Sequence, residues 1–263
     1  MILEDFHIHT TFCDGKSTPE EMVQSAIALG LKRLGFSGHA PAVDDASEYT
    51  IRAADIPAYR AEITRLKEKY KKQITILCGI EQDLFSVPIT EPYDYVIGSS
   101  HTVEGRNGKI YDVDDTPDVL KTAVEEGFDG DVYAYCENYF ERVSRIGEAL
   151  HPDIIGHFDL LTKFNEKYPL IDETHPRYVA AWQKALDALL PYGIPFEINS
   201  GAMSRNWRTT PYPAKPILQY IFQKGGRVVL NSDSHSAQTI AHCFELSEAI
   251  AKEVGFAELK PNF

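Results

Sequence analysis

At 263 residues, 43% of them hydrophobic and 25% charged, the chain can bury a core the size of one barrel domain without disulfide or structural-metal support. Its net charge of −13 opposes nucleic-acid binding through a general basic surface, although a local site can carry the opposite sign. MILEDFHIHT at the start has no secretory pattern, no run reaches the roughly 18 apolar residues of a membrane helix, and Cys13, Cys78, Cys136 and Cys243 form no C-x-x-C pair; a cytoplasmic chain with reduced thiols and no membrane partner is expected.

Short apolar runs alternate with longer helical patterns. Strands are expected at 5–9, 33–37, 74–80, 93–98, 153–156, 195–198 and 227–230, each rich in Ile, Val, Phe or Leu as for strands buried on both faces. The first helix opens at Ser17-Thr18-Pro19-Glu20-Glu21, with Thr18 as N-cap, Pro19 at N1 and Glu21 closing a capping box. Further helices are expected at 56–70, 132–150, 175–190, 214–223 and 238–254, and Gly30, Gly193 and Gly255 follow helices where a left-handed cap favours glycine. Seven strands alternating with helices in one undivided domain, 1–263, predict a parallel α/β barrel. A doubly wound open sheet is the alternative, but it would carry a glycine-rich loop where His7-Ile8-His9 stands.

The chemistry gathers at the strand ends. His7 and His9, with Asp14 close behind, follow the first strand, and His39 follows the second. The third ends in Glu81, the fourth in His101, the fifth in His157 and Asp159, and the seventh in Asp233 and His235. Residues i and i+2 of a strand share a face, so His7 and His9 can grip one ion together, and Asp233 and His235 have the same spacing. A lone histidine at a strand end is usually structural, and His-x-His alone is weak. Six histidines with three carboxylates at matching ends point instead to divalent Zn, Mn or Fe held by imidazole and carboxylate. His151, His175 and His242 lie on or at helices and are expected to be structural. Asp159 is read as the N-cap of the next element rather than as a partner to a ligand histidine, and Cys13 as a bystander.

Together, His7-Ile8-His9, His39, Glu81, His101, His157 and Asp233-x-His235 resemble the polymerase and histidinol phosphatase (PHP) superfamily across essentially the whole chain. The stretch Glu197-Ile198-Asn199-Ser200-Gly201 to Pro211-Tyr212-Pro213 is similar to the histidinol-phosphate phosphatases of histidine biosynthesis. The resemblance implies a distorted seven-stranded (β/α)7 barrel with up to three divalent ions. His7, His9, Glu81 and Asp233 would hold the first, Glu81 would bridge to a second held by His101 and His157, and Asp14, His39 and His235 would hold the third. Glu81, Asp233 and His235 would stand at the catalytic centre, and a hydroxide bridging the first two ions would attack phosphorus.

Three divalent ions bring +6 and Asp14, Glu81 and Asp233 return −3, so the site would draw in a small phosphorylated metabolite despite the acidic surface. Arg205 and Lys163 are the candidate phosphate contacts, with Arg208 and Arg106 as weaker ones. Relatives often carry a basic residue where Thr162 stands; here the lysine is its neighbour. The expected reaction is hydrolysis of L-histidinol phosphate. A nucleotide or sugar phosphate is the competing substrate, and a non-catalytic metal-binding domain the competing class.

Overall fold

Segments too short for helices and too apolar to face water form the strands. The computed structural model describes residues 3–43, 49–261 and 263. In chain order its strands are β1 (Glu4–Asp5), β2 (Arg33–Phe36), β3 (Thr75–Asp83), β4 (Tyr95–Ser99), β5 (Thr102–Glu104), β6 (Ile110–Asp112), β7 (Ile154–Ile155), β8 (Phe196–Asn199) and β9 (Val228–Asn231). Its helices are α1 (Pro19–Ala28), α2 (Ile56–Tyr70), α3 (Pro117–Thr122), α4 (Val132–Ser144), α5 (Ile146–Leu150), α6 (Pro176–Leu189), α7 (Gly201–Ser204), α8 (Lys215–Gln223) and α9 (Phe244–Val254). None of the described helices is long and apolar enough to cross a membrane.

Seven strands run parallel in the order β1-β2-β3-β4-β7-β8-β9, as expected for the distorted barrel. The sheet nearly closes through one parallel bridge between Ile8 and Ser234, where His9 N donates to Ser234 O (2.9 Å) and Ser234 N to His7 O (3.0 Å). This closure shortens the first strand. Phe6 N donates to the Asn231 side chain and Ile8 N to Ser37 Oγ, so side chains replace ladder carbonyls and the regular strand ends at Asp5 rather than His9.

Alternation along the strands divides the barrel interior into two layers. Phe6, Tyr95, Ile97, Ile154 and Val229 form an apolar floor, joined by Leu77 and Phe263. Tyr95 is its centrepiece, donating from its hydroxyl to Phe6 O (2.6 Å) and lying where side chains at Gly35 and Gly79 would collide with its ring. Two residues beyond Gly79 on the same face stands Glu81, already in the polar upper layer. Outside the barrel, helices pack over two larger apolar clusters, one under α4, α6 and α8 and the other under α1 and α2.

Local chemistry explains the element ends. Thr18 Oγ1 accepts from Glu21 N (3.3 Å) while Glu21 Oε2 accepts from Thr18 N (2.7 Å), completing the capping box. His175 caps α6 through Nδ1, which accepts from Arg177 N, and its ring stacks on Tyr133. The helix expected at 132–150 is broken at Arg145 into α4 and α5, and that expected at 238–254 begins only at Phe244, after Cys243 at φ 55°. The β5–β6 hairpin and α3, both between β4 and α4, have no counterpart in the sequence reading.

Asp159 precedes a short turn at Leu160–Thr162 but does not cap it. Its Oδ2 instead accepts from Ala214 N (3.0 Å), tying that turn to the start of α8. Burial pushes its pKa up to about 6, against the opposing pull of Arg208. A carboxyl raised in the folded state takes up a proton on folding, so its contribution to stability is lost as pH rises from about 4 to about 6. Asp159→Asn keeps an acceptor for Ala214 and removes the titration. Its stability relative to wild type should therefore improve by about 3 kcal/mol between those pH values. Denaturant titrations across that range would check this; a pH-independent difference would contradict the buried-acid account.

Candidate metal centre

The C-terminal ends of the barrel strands deliver their side chains to one point. Glu81 is fully buried there and faces five imidazoles: Oε2 lies 3.1 Å from His7 Nε2, 3.4 Å from His9 Nε2 and 3.0 Å from His39 Nδ1, while Oε1 lies 3.0 Å from His157 Nε2 and 3.4 Å from His101 Nε2. Asp233 Oδ1 approaches His7 (3.8 Å), His9 (3.4 Å) and His235 (3.5 Å). Asp14 Oδ2 lies 3.0 Å from His235 Nε2, and its Oδ1 reaches toward His9 and His39. All nine sequence-predicted ligands are thus brought together.

Two backbone features make room. Asp233 adopts φ 50°, a left-handed conformation that costs a non-glycine residue energy and turns the chain sharply after β9. Gly201 faces it, and a β-carbon there would come within 2.5 Å of Asp233 Oδ2.

Electrostatics show what the cluster lacks. Burial alone would raise the Glu81 and Asp233 carboxyls, yet His7 and His39 beside Glu81, and Arg205 and His7 beside Asp233, hold both well below the usual range. Burial opposes charge on His7 and His101, but facing carboxylates, led by Glu197 for His7 and Glu81 for His101, hold both pKa values well above the ordinary one. His9 goes the other way: burial, the stacked His235 ring and the tilted His39 ring lower it to about 3, leaving a neutral imidazole. The carboxylates demand positive charge that protons can supply only in part.

Metal ions fit this demand. His7 Nε2, His9 Nε2 and Glu81 Oε2 are buried without a hydrogen-bond partner. Four groups have donor atoms within 4.8 Å of one another: His9-Asp14-His39-His235, His7-His9-Asp233, His7-Glu81-His157 and His39-Glu81-His101. That spacing is about twice a 2.0–2.2 Å metal–ligand bond, as for donors on opposite sides of one ion. His7, His9, His39 and Glu81 each belong to two groups, so they stand at the borders of the three-ion division implied by the family resemblance.

Sequence reading missed the groups that orient these ligands. Glu197 Oε2 pairs with His7 Nδ1 (2.9 Å) and accepts from Asn231 Nδ2, while Oε1 accepts from His157 N and Asn199 Nδ2. Asp83 Oδ2 accepts from His101 N (2.8 Å) and lies 3.2 Å from His101 Nδ1. Signals for both were present: a lone acid in Phe196-Glu197-Ile198, and an acid two residues beyond Glu81 on the same strand face.

A cavity of about 300 Å³ opens above the centre, with Arg205 and Lys163 in its wall. Arg205 Nη2 lies 2.7 Å from His235 Nδ1 and 3.5 Å from Asp233 Oδ1. The Lys163 ammonium is engaged by Asp114, donating to its Oδ2 (2.9 Å) and carbonyl (2.6 Å). Arg208 and Arg106 do not line the cavity: Arg208 donates to Thr162 and Arg106 pairs with Asp129 on the surface. The Cys13 Sγ lies 3.6 Å from His9 Nδ1, and burial and Asp14 push its pKa to about 12, so it stays a thiol beside the cluster.

A seven-stranded parallel barrel with histidines and carboxylates converging at its strand ends defines a metal-dependent hydrolase scaffold. The chain belongs to the PHP domain family, whose model matches residues 5–201; β9 brings Asp233 and His235 in from beyond that stretch. A probable histidinol-phosphatase of Schizosaccharomyces pombe is 27% identical over 275 residues, covering 96% of this chain and 87% of the relative. A solved structure of a histidinol phosphatase candidate, hisK, from Listeria monocytogenes has a TM-score of 0.81 at 22% identity, covering 92% of this chain and 99% of that one. Histidinol phosphate phosphatase from Lactococcus lactis, solved with zinc, L-histidinol and phosphate, has a TM-score of 0.72 at 22% identity, covering 97% and 95%.

Glu197→Gln leaves the strand intact but removes the charge that orients His7 and makes it a better ligand. Metal affinity should fall about 10- to 100-fold, measured by competition with a chromophoric chelator. Unchanged affinity would show that Glu197 serves packing alone.

Proposed function

We propose that the chain is a metal-dependent phosphatase hydrolysing L-histidinol phosphate to L-histidinol and phosphate, with residues 1–263 acting as one phosphoesterase domain. The observation that carries this reading is the mixed charge of the cavity wall. It combines the metal centre and Arg205 with Asp112, Asp114 and Asp115. Asp114 is neutralised by Lys163, but Asp112 and Asp115 have no ion-pair partner among the described residues. Burial raises the Asp112 pKa, Asp114 and Asp115 raise it further, and His101 only partly opposes them. A substrate with phosphate at one end and a primary amine at the other matches both signs of charge. Nucleotide and sugar phosphates bring no cation to the acidic residues. The names of the relatives agree with this choice.

We assign His7, His9, Asp14, His39, Glu81, His101, His157, Asp233 and His235 as the residues that would hold up to three divalent ions, Zn, Mn or Fe. Such ions, when bound, supply charge for phosphoryl oxygens and make water nucleophilic near neutral pH. Arg205, on the cavity side of Asp233, binds a phosphoryl oxygen and stabilises the charge that develops there. Glu197 and Asp83 hold His7 and His101 in place, so the centre costs little reorganisation as substrate enters. Asp112 and Asp115 bind the ammonium end and so orient the ester toward the centre.

Binding at a remote end should appear as discrimination in kcat/KM. With identical metal loading, L-histidinol phosphate should exceed glycerol phosphate, p-nitrophenyl phosphate and a nucleotide by on the order of a hundredfold. Asp115→Asn should raise KM for L-histidinol phosphate roughly tenfold and leave p-nitrophenyl phosphate unaffected. Equal or better efficiency on an unrelated ester would overturn the substrate and leave the phosphatase standing.

A further inference from the structure

A second cavity, of about 500 Å³, lies apart from the metal centre between the loop after β3 and the helices α4 and α5. Its wall includes Gln82, Leu84, Phe85, Arg142, Arg145 and Leu150. The Arg142 guanidinium lies over the Phe85 ring, 4.2 Å from its centroid. Its Nε is buried without a hydrogen-bond partner, and so is the side-chain oxygen of Gln82. The Gln82 amide nitrogen is already used, donating to the carbonyls of Asp83 (3.4 Å) and Val87 (3.1 Å).

Most arginines of the chain, Arg33, Arg65 and Arg177 among them, pair with a carboxylate. Neither Arg142 nor Arg145 forms an ion pair among the described residues. Glu104 and Asp83 also line the cavity and favour the charged Arg142 at longer range, but Asp83 is engaged by His101 and Phe85 N, and Glu104 is exposed. A donor and an acceptor buried without partners behind the same cavity wall are costly unless a ligand that draws them toward the cavity completes them.

We propose that this cavity is a binding site for a small carboxylate with an apolar body and a hydrogen-bond donor. The carboxylate takes the forked donors of Arg142 and the nearby Arg145, the donor takes the Gln82 oxygen, and the apolar body covers Leu84, Phe85 and Leu150. The cavity is several times larger than a bare inorganic anion needs, and its apolar wall would be wasted on one. The proposal does not depend on the phosphatase reading.

The test uses the full metal-loaded chain and N-acetyl-L-phenylalanine, which has a carboxylate, an amide N–H and an apolar ring. Arginine Nε–H resonances are followed by NMR. The Arg142 signal should shift saturably with a Kd on the order of 1 mM, as for a ligand of this size. N-acetyl-L-phenylalanine amide, which lacks the carboxylate, should bind at least about tenfold more weakly. Arg142→Gln and the exposed Arg145→Gln should each weaken binding by a similar factor, with Arg65→Gln as an unaffected control. Arg145→Gln serves the test even if Arg142→Gln fails to fold. No saturable shift at Arg142, equal binding of the amide, unaltered binding by Arg145→Gln, or shifts confined to Arg205 would each overturn the site.

Discussion

A single buried carboxylate facing five imidazoles is the constraint around which the rest of the molecule is arranged. Glu81 is buried at the end of β3, with His7, His9, His39, His101 and His157 around its two oxygens. Such a group is costly in a protein interior unless opposite charge surrounds it. The imidazoles answer part of that need, but their own charges repel, and His9 is driven neutral by burial and by its neighbours. Divalent ions resolve both problems at once, since each carries two charges and accepts neutral imidazole as a ligand. Folding and chemistry therefore share one electrostatic requirement.

The barrel meets that requirement by stacking two environments along the same strands. Leu77 and Gly79 lie against the Tyr95 floor, and Glu81 enters the polar layer on the same face. The outer helices bury the opposite strand faces, so the ligand positions are anchored by apolar packing that the chemistry never touches. Above them Glu197 and Asp83 fix ring orientations. The Ile8–Ser234 bridge joins the first ligand pair to the last, making barrel closure part of the construction of the centre. A substitution that loosened this bridge would disturb metal binding before it unfolded the helices.

Much of this was legible in the chain. The alternation of apolar runs and capped helices defined the barrel, and the nine candidate ligands could be named because they stand at or just after strand ends. The acids that orient them escaped notice because burial and hydrogen bonding, not residue type, give Glu197 and Asp83 their roles. Lys163 lines the cavity, and nothing in the sequence signalled that Asp114, 49 residues away, would meet its charge there. The β5–β6 hairpin was missed because its strands are only three residues long, although Asn107-Gly108 at its turn is a hairpin signal. It mattered, because it carries Asp112 to the cavity wall and leads into Asp115. Asp159 was misread because a cap and a long-range tether begin with the same residue before a turn; only the position of Ala214 distinguishes them.

Whatever ester the mixed-charge cavity selects, this centre works only when divalent ions occupy it. The direct measurement is metal content per chain together with phosphatase turnover, before chelation, after chelation, and after Mn or Zn is restored, for wild type and for Glu81→Ala. The account predicts more than one ion per chain, loss of both ions and turnover on chelation, and recovery of both on restoration in wild type but not in Glu81→Ala. Full turnover by chelated protein containing no metal would contradict it.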